Sequence, residues 1–282
     1  MEKRYDIARL APFMCYVLVM FAVPAALIVI SAFRTGSGDW SLQYFTVLQR
    51  PGVMRSLLNS IWLSALTSLI GATGGALVCH AITGCRENGR IQRIVEAASS
   101  TLSQFGGVML AFACMATLGN QGLMTLWIQS VFHLDIYEHG MWLYTPAGLI
   151  IPYTLFQLPL MIISFYPAMA GMPPHLAEAV ATLGGSRWNY WTRIAMPLLA
   201  PSFMSSFLLL FANAFAAYAT AAALISQGAQ IIPLQIRAAL IGETGMGSAS
   251  EAGALAVTML IVMGGVVCLH ACIERKATTW RK

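Results

Sequence analysis

The residue types that most often carry chemistry are sparse in this sequence and poorly spaced for it. Its five histidines, His80, His133, His139, His175 and His270, do not form a metal-ligand spacing. His133 and His139 share one segment with Asp135 and Glu138. That could be a histidine–carboxylate metal site, but a solvated loop is the plainer reading. The six cysteines are Cys15, Cys79, Cys85, Cys114, Cys268 and Cys272. Cys268 and Cys272 are four apart and could share a helix face. Most of the six fall inside apolar runs, where cysteine packs as a small hydrophobe, so packing is preferred over a redox or metal pair. No Gly-x4-Gly-Lys-Ser/Thr phosphate loop is present, so the chain is not expected to hydrolyse ATP itself. No catalytic residue, metal or cofactor is expected. The informative polar residues stand alone in apolar surroundings: Gln104, Gln157, Asn213 and Tyr218, with one acid, Glu178, in a patterned segment between apolar runs.

The elements that must position these residues follow from composition. In 282 residues, 58% are apolar and 10% charged, against about 25% charged in an average soluble chain. Mean hydropathy is +0.70. A disordered chain, a collagen, a coiled coil and a nucleic-acid-binding domain are excluded, and a polytopic membrane protein remains. A crossing helix needs about 20 mostly apolar residues. Six runs qualify: 10–33, 57–83, 97–118, 143–168, 198–226 and 252–273. They are continuously apolar, not alternating as barrel strands would be. The expected fold is all-α, one transmembrane domain of six helices over residues 1–282. The first run follows Lys3, Arg4 and Arg9 and is longer than a signal-peptide core, so it reads as a retained signal anchor.

Basic residues set the orientation. With the N-terminus inside, the inner segments carry Lys3, Arg4, Arg9, Arg86, Arg90, Arg93, Arg187, Arg193, Arg275, Lys276, Arg281 and Lys282, and the outer ones Arg34, Arg50, Arg55 and Arg237. Twelve against four fits an N-in, C-in protein, and the +5 net charge is then a topology signal. The outer loops 34–56, 119–142 and 227–251 are each about two dozen residues. They hold Asp39, Asp135, Glu138, Glu243 and Glu251, which read as partner contacts or as solvated.

The inner loop 169–197 is long and patterned. Pro173 and Pro174 suit the first turn of a helix, where a missing N–H costs nothing. Leu176, Val180 and Leu183 then line one face. Gly184 and Gly185 end the helix through a left-handed cap. Ser186 caps a second short helix, on which Trp188 and Trp191 lie together at the membrane interface beside Arg187 and Arg193. Two short helices at an angle, carrying an apolar ridge and Glu178, exceed what a simple connection needs.

This segment resembles the cytoplasmic loop of the membrane subunits of bacterial ABC importers, Glu-Ala-Ala-x3-Gly-x9-Ile-x-Leu-Pro. Glu178, Ala179, Gly184, Ile194 and Pro197 stand at those spacings. Val180 replaces the third small residue and Met196 the leucine, and both remain apolar. The stretches 105–119 and 211–220 are similar to permeases of the polyamine, iron(III), thiamine and phosphonate group. The resemblance implies a permease in the bacterial inner membrane that passes a small solute, most like the spermidine/putrescine type. It implies docking of Leu176, Val180 and Leu183 in a groove of a cytoplasmic ATPase dimer, with Glu178 at the rim and Gly184 at the turn. It also implies a second permease subunit, a paralogue, and a periplasmic binding protein.

By the same resemblance, the solute path runs between spans three to five, near Gln104, Gln157, Asn213 and Tyr218. The alternative for each is a helix–helix hydrogen bond. His80, near the inner end of span two, has an interfacial or packing role. Gly71 and Gly75, and Ala212, Ala216 and Thr220, form small-residue rows that fit packing within the subunit or between two permeases. Pro24, Pro152 and Pro159 would kink their spans. An intramembrane enzyme would need a facing catalytic pair, and the spans hold no aspartate. An ion-driven secondary transporter would need no patterned cytoplasmic loop.

Overall fold

A computed structural model describes residues 12–34, 40–84, 89–138, 140–173, 175–225, 230–242 and 249–280, of which 274–280 by backbone alone. Leu10, Lys3, Arg4, Arg9, Asp39, Cys85, Arg86, His139, Pro174, Ser226, Glu243, Arg281 and Lys282 lie outside the described residues, as do the side chains of Arg275 and Lys276. In chain order the helices are α1 (Pro12–Phe33), α2 (Pro51–Thr83), α3 (Arg90–Gln104), α4 (Gly107–Leu118), α5 (Leu123–Phe132), α6 (Ile150–Ala170), α7 (His175–Thr182), α8 (Arg187–Ala216), α9 (Ala219–Leu224), α10 (Ile232–Ile241) and α11 (Ala249–Trp280). The described residues form no strand beyond one isolated bridge, Arg34 to Trp40.

Among the described residues, six helical stretches are long and apolar enough to cross a bilayer: Pro12–Phe33, Pro51–Thr83, Gly107–Phe132, Pro146–Ala170, Arg187–Ala216 and Ala249–Ile273. The all-α, six-span expectation holds. The third span is displaced from its expected place at 97–118. Residues 97–104 belong to α3, an amphipathic helix that also carries Arg90, Arg93 and Glu96. The chain then breaks at Phe105–Gly106, and Gly107 takes φ +67, a left-handed value that glycine adopts freely. The apolar stretch runs on through α5, which the sequence reading leaves as outer loop because Gly119–Gly122 looks like its start. The fifth span also begins earlier, at Arg187, and its helix stops at Ala216. The segment 227–251, expected as an outer loop, contains a helix of its own, α10, too short to span.

The chain divides into two compact units, Met1–Leu57 with Ile231–Val262, and Leu58–Gln230 with Met263–Lys282. In the first, Ala32, Val47, Val53, Ala239, Ala252, Ala254, Leu255 and Val257 form the core. Gly253 lets α11 approach α1, since a Cβ there would stand 2.6 Å from Ser31 Oγ. Arg50 donates both guanidinium arms to Glu251, at 2.8 and 3.2 Å. Glu251, expected to meet a partner or solvent, is thus an intramolecular partner, 13% exposed.

In the second unit α2, α6 and α8 share a core of Ala72, Cys79, Met161, Ile162, Phe165, Met169, Leu199 and Leu210. The small-residue row on α2 packs inside the subunit. A Cβ on Gly71 would sit 2.8 Å from Gln157 Cβ, and one on Gly75 2.6 Å from Met161 Cβ. The helices approach until only glycine fits, as small-residue rows allow.

Candidate functional site

The patterned segment between α6 and α8 builds largely as its residues dictate. The amide of Gly185 donates to Val180 O at 2.8 Å and that of Gly184 to Ala181 O at 3.1 Å. With Gly184 at φ +75, this is the paired-bond cap that ends a helix on a left-handed residue. Ser186 Oγ accepts from Asn189 N at 3.3 Å and starts the next helix. That helix is not a second short one. It continues through a π turn, Trp191–Ala195, straight into the fifth span. The Met196 amide reaches back five residues to Trp191 O, and this wider turn carries the helix past Pro197 without ending it.

The expected ridge is divided by the fold. Leu176 and Val180 are half-buried, whereas Leu183 is 87% exposed. Leu176 lines a cavity of about 400 Å³ with Met172, Leu198, Leu199 and Ser202. Val180 lines one of about 350 Å³ with His80, Gln92, Arg187, Tyr190 and Trp191. Glu178, Ala179, Leu183 and Gly184 face outward, Ile194 is half-buried and Pro197 exposed. The two tryptophans do not lie together. Trp188 is 74% exposed, while Trp191 turns inward and meets the ring of His80 edge-on at 4.5 Å. His80 therefore braces the end of α2 against the root of α8, a partnership across 111 positions that no local spacing reveals.

The four polar span residues separate. Gln157 is fully buried, and its Nε2 donates to Thr67 Oγ1 at 2.7 Å. It is a tie between α2 and α6 and reaches no surface of the chain. Thr67 keeps a bond to Leu63 O, and interhelical bonds of this kind average about 0.6 kcal/mol. Gln157→Leu is therefore expected to shift the thermal unfolding midpoint in detergent by no more than a few degrees. Gln104 lies at the end of α3, outside the span assigned to it, and is exposed, as are Asn213 and Tyr218. Gln104 and Tyr218 each flank a helix break, and the two breaks adjoin. Thr220 Oγ1 donates to Gly107 O at 3.1 Å, a Cβ on Gly107 would touch Ala219 Cβ at 3.5 Å, and Tyr153 OH donates to Ala217 O at 2.8 Å. The row Ala212, Ala216, Thr220 is cut by the same break.

No three His, Cys, Asp or Glu residues converge among the described residues. Asp135 Oδ1 instead accepts from the Tyr137 amide at 2.8 Å, and the Tyr137 hydroxyl donates to Leu118 O. Burial, then the charge of Tyr144, raises the Tyr137 phenol above its usual pKa.

Residues 131–274 match the family described as the binding-protein-dependent transport system inner membrane component. The chain belongs to that family. It is a multi-pass protein of the inner membrane. Among similar members, the putative ferric transport system permease protein FbpB 1 of Haemophilus influenzae is 24% identical over 211 residues, 73% of this chain and 32% of that protein. The chain spans about a third of the length of the two ferric relatives that head the matches. The molybdenum transport system permease protein ModB of Mycobacterium bovis is 23% identical over 250 residues, 88% of this chain and 89% of that one. A crystal structure of a bacterial alginate ABC transporter, in complex with an alginate pentasaccharide-bound periplasmic protein, contains a chain of the same fold. Its TM-score is 0.75 at 17% identity, covering 98% of this chain and 96% of that one. The matched segment of this transport-component family contains α6, α7 and α8, the elements that build the capped helix.

Proposed function

We propose that the chain is the permease subunit of an ATP-driven importer, with both termini on the cytoplasmic side, and that α7 docks on a cytoplasmic ATPase. One observation carries this reading. A short helix, closed by Gly184 and Gly185, turns Glu178, Ala179 and Leu183 outward within the segment that the transport-component family matches. Glu178 serves as the polar contact at the rim, Leu183 as the apolar one, and Gly184 as the turn. Leu176 and Val180 seat the helix on its own subunit. Ile194 and Pro197 pass the motion of α7 into the fifth span. ATP binding closes the ATPase dimer, and a rigid-body shift of the docked helices switches the permease pair between its two faces. The pair is this chain with a second permease, a paralogue, and a periplasmic binding protein delivers the solute.

The solute is a small one. The names of the relatives lend the spermidine/putrescine expectation no specific support, and the two ferric permeases among them support iron(III) as an equal choice, with thiamine and a phosphonate as further choices. Purification of the tagged chain from its native host tests the reading. An ATP-hydrolysing subunit and a second permease are expected to come down in stoichiometric amount, and Glu178→Arg to lose the ATPase alone. A stable complex that lacks any ATPase would overturn it.

A further inference from the structure

The cavity of about 350 Å³ that Val180 lines lies between α7, the start of α8 and the ends of α2, α3 and α6. Its lining explains why it stays open. Gly84, Ala170, Ala177, Ala181 and Gly185 border it with little or no side chain. No residue of α7 is buried, so that helix does not fill the space from its own side. The opposite wall is fixed before any ligand arrives. Trp191 meets His80 edge-on at 4.5 Å, and Tyr190 meets Trp191 at 5.7 Å and 78°. Thr83 Oγ1 ties the end of α2 by donating to His80 O at 2.9 Å. Arg187 is the one permanent charge in the lining. Its exposed side chain makes no ion pair or hydrogen bond with another described residue. Two acids are neighbours of lining residues. Glu96 accepts from Gln92 Nε2 at 3.0 Å, and Glu178 is exposed on the outward side of α7. Neither carboxylate is in the lining itself.

We infer that this cavity under α7 is a binding site for a small aromatic acid, with its ring against Tyr190 and Trp191 and its carboxylate on Arg187. A largely apolar pocket of this size with a few polar groups is the usual form of a small-molecule site. Aromatic walls select a planar ring, which packs on them offset or edge to face. A guanidinium selects a carboxylate, which it meets with two parallel hydrogen bonds. Rings already held in place spare the ligand the cost of ordering them. A bound acid bridges α7 to the ends of α2 and α6, and so biases where α7 stands. That consequence for transport rests on the importer reading; the binding itself does not.

Binding is measured on the purified full chain in nanodiscs of neutral lipid. Naphthoate and the uncharged naphthamide are the probes, and uptake by protein-free nanodiscs is subtracted. Saturable naphthoate binding is expected, at least about tenfold tighter than that of the amide, as a charge-assisted pair supplies. Ala181→Trp and Ala170→Trp fill the cavity from opposite walls, and each should abolish saturable binding at unchanged helicity and monodispersity. Arg187→Gln should bring the affinities of naphthoate and naphthamide to within about twofold of each other, because the paired bonds are lost. Trp188→Ala, on an exposed residue outside the lining, should leave naphthoate binding unchanged. No saturable naphthoate binding by the wild type, or full binding by both filled variants, overturns the site. Equal affinity for the two probes in the wild type overturns the choice of an acid. In the assembled importer, naphthoate is expected to shift ATP turnover in the wild type and not in Ala181→Trp. Binding without that shift overturns the effect on α7 alone. A complex that lacks any ATPase overturns the importer reading and leaves the binding site standing.

Discussion

Gly184→Val is expected to reduce ATP-driven uptake at least about tenfold while the chain still reaches the membrane in normal amount. The reason is conformational. Gly184 holds φ +75, and a Cβ built on it would meet no atom within 4 Å. No clash is introduced, so the effect rests on the left-handed backbone alone. That conformation costs an L-residue roughly 1–2 kcal/mol, more for a β-branched one, and least for asparagine. The amides of Gly184 and Gly185 close α7 on Ala181 and Val180. Losing this cap lets the outward face of α7, with Glu178 and Leu183, turn away from its docked position. The graded series Gly184→Asn, Gly184→Ala, Gly184→Val should therefore lose uptake in that order. Glu178→Arg should match the valine variant in uptake but not in stability, because an exposed surface change usually stays within about 0.5 kcal/mol. Uptake in vesicles, normalised to permease abundance by immunoblot, measures both. Normal uptake by Gly184→Val at normal abundance would refute the docking role of α7.

Local chemistry in this chain is readable from sequence, and what depends on packing is not. Gly184, Gly185 and Ser186 announce a cap and a new start because every partner they need lies within five residues. The division of the Leu176, Val180 and Leu183 ridge cannot be read that way. A shared face says which residues point together, and the fold decides that two of them seat the helix while one meets solvent. The break at Phe105–Gly107 is hidden by the apolar residues after it, which make 97–118 resemble one uninterrupted span. The charges of Arg90, Arg93 and Glu96 are the available sign that α3 is a different kind of helix. The apolar helix α10 falls below spanning length and so disappears into a loop. Gln157 is the clearest limit. Its isolation in an apolar run marks it as a polar residue needing a partner, but that partner, Thr67, is 90 positions away.

The small-residue row on α2 yields the other large effect. Gly75→Ala places a Cβ 2.6 Å from Met161 Cβ, 2.7 Å from its Cγ and 3.0 Å from Leu158 O. The near atoms belong to the root of a side chain and to backbone, so rotamer change does not relieve the contact and α6 has to move. Overpacking of this kind costs about 1–3 kcal/mol, and helices in lipid have little besides close packing to hold them together. Gly75→Ala is therefore expected to lower the unfolding midpoint in detergent by several degrees, and Gly75→Leu to prevent accumulation of the folded chain. Gly74 is the control in the same turn, since a Cβ there stands 3.4 Å from the flexible Leu158 Cδ1; Gly74→Ala should leave the midpoint nearly unchanged. A row serving the contact between two permeases would behave differently. Gly75→Ala would then leave the isolated subunit at wild-type stability and lose only its pairing with the second subunit. Equal midpoints for the Gly74 and Gly75 variants, with pairing lost in the latter, would move the row to that interface. The 2.6 Å approach to Met161 argues for the opposite result.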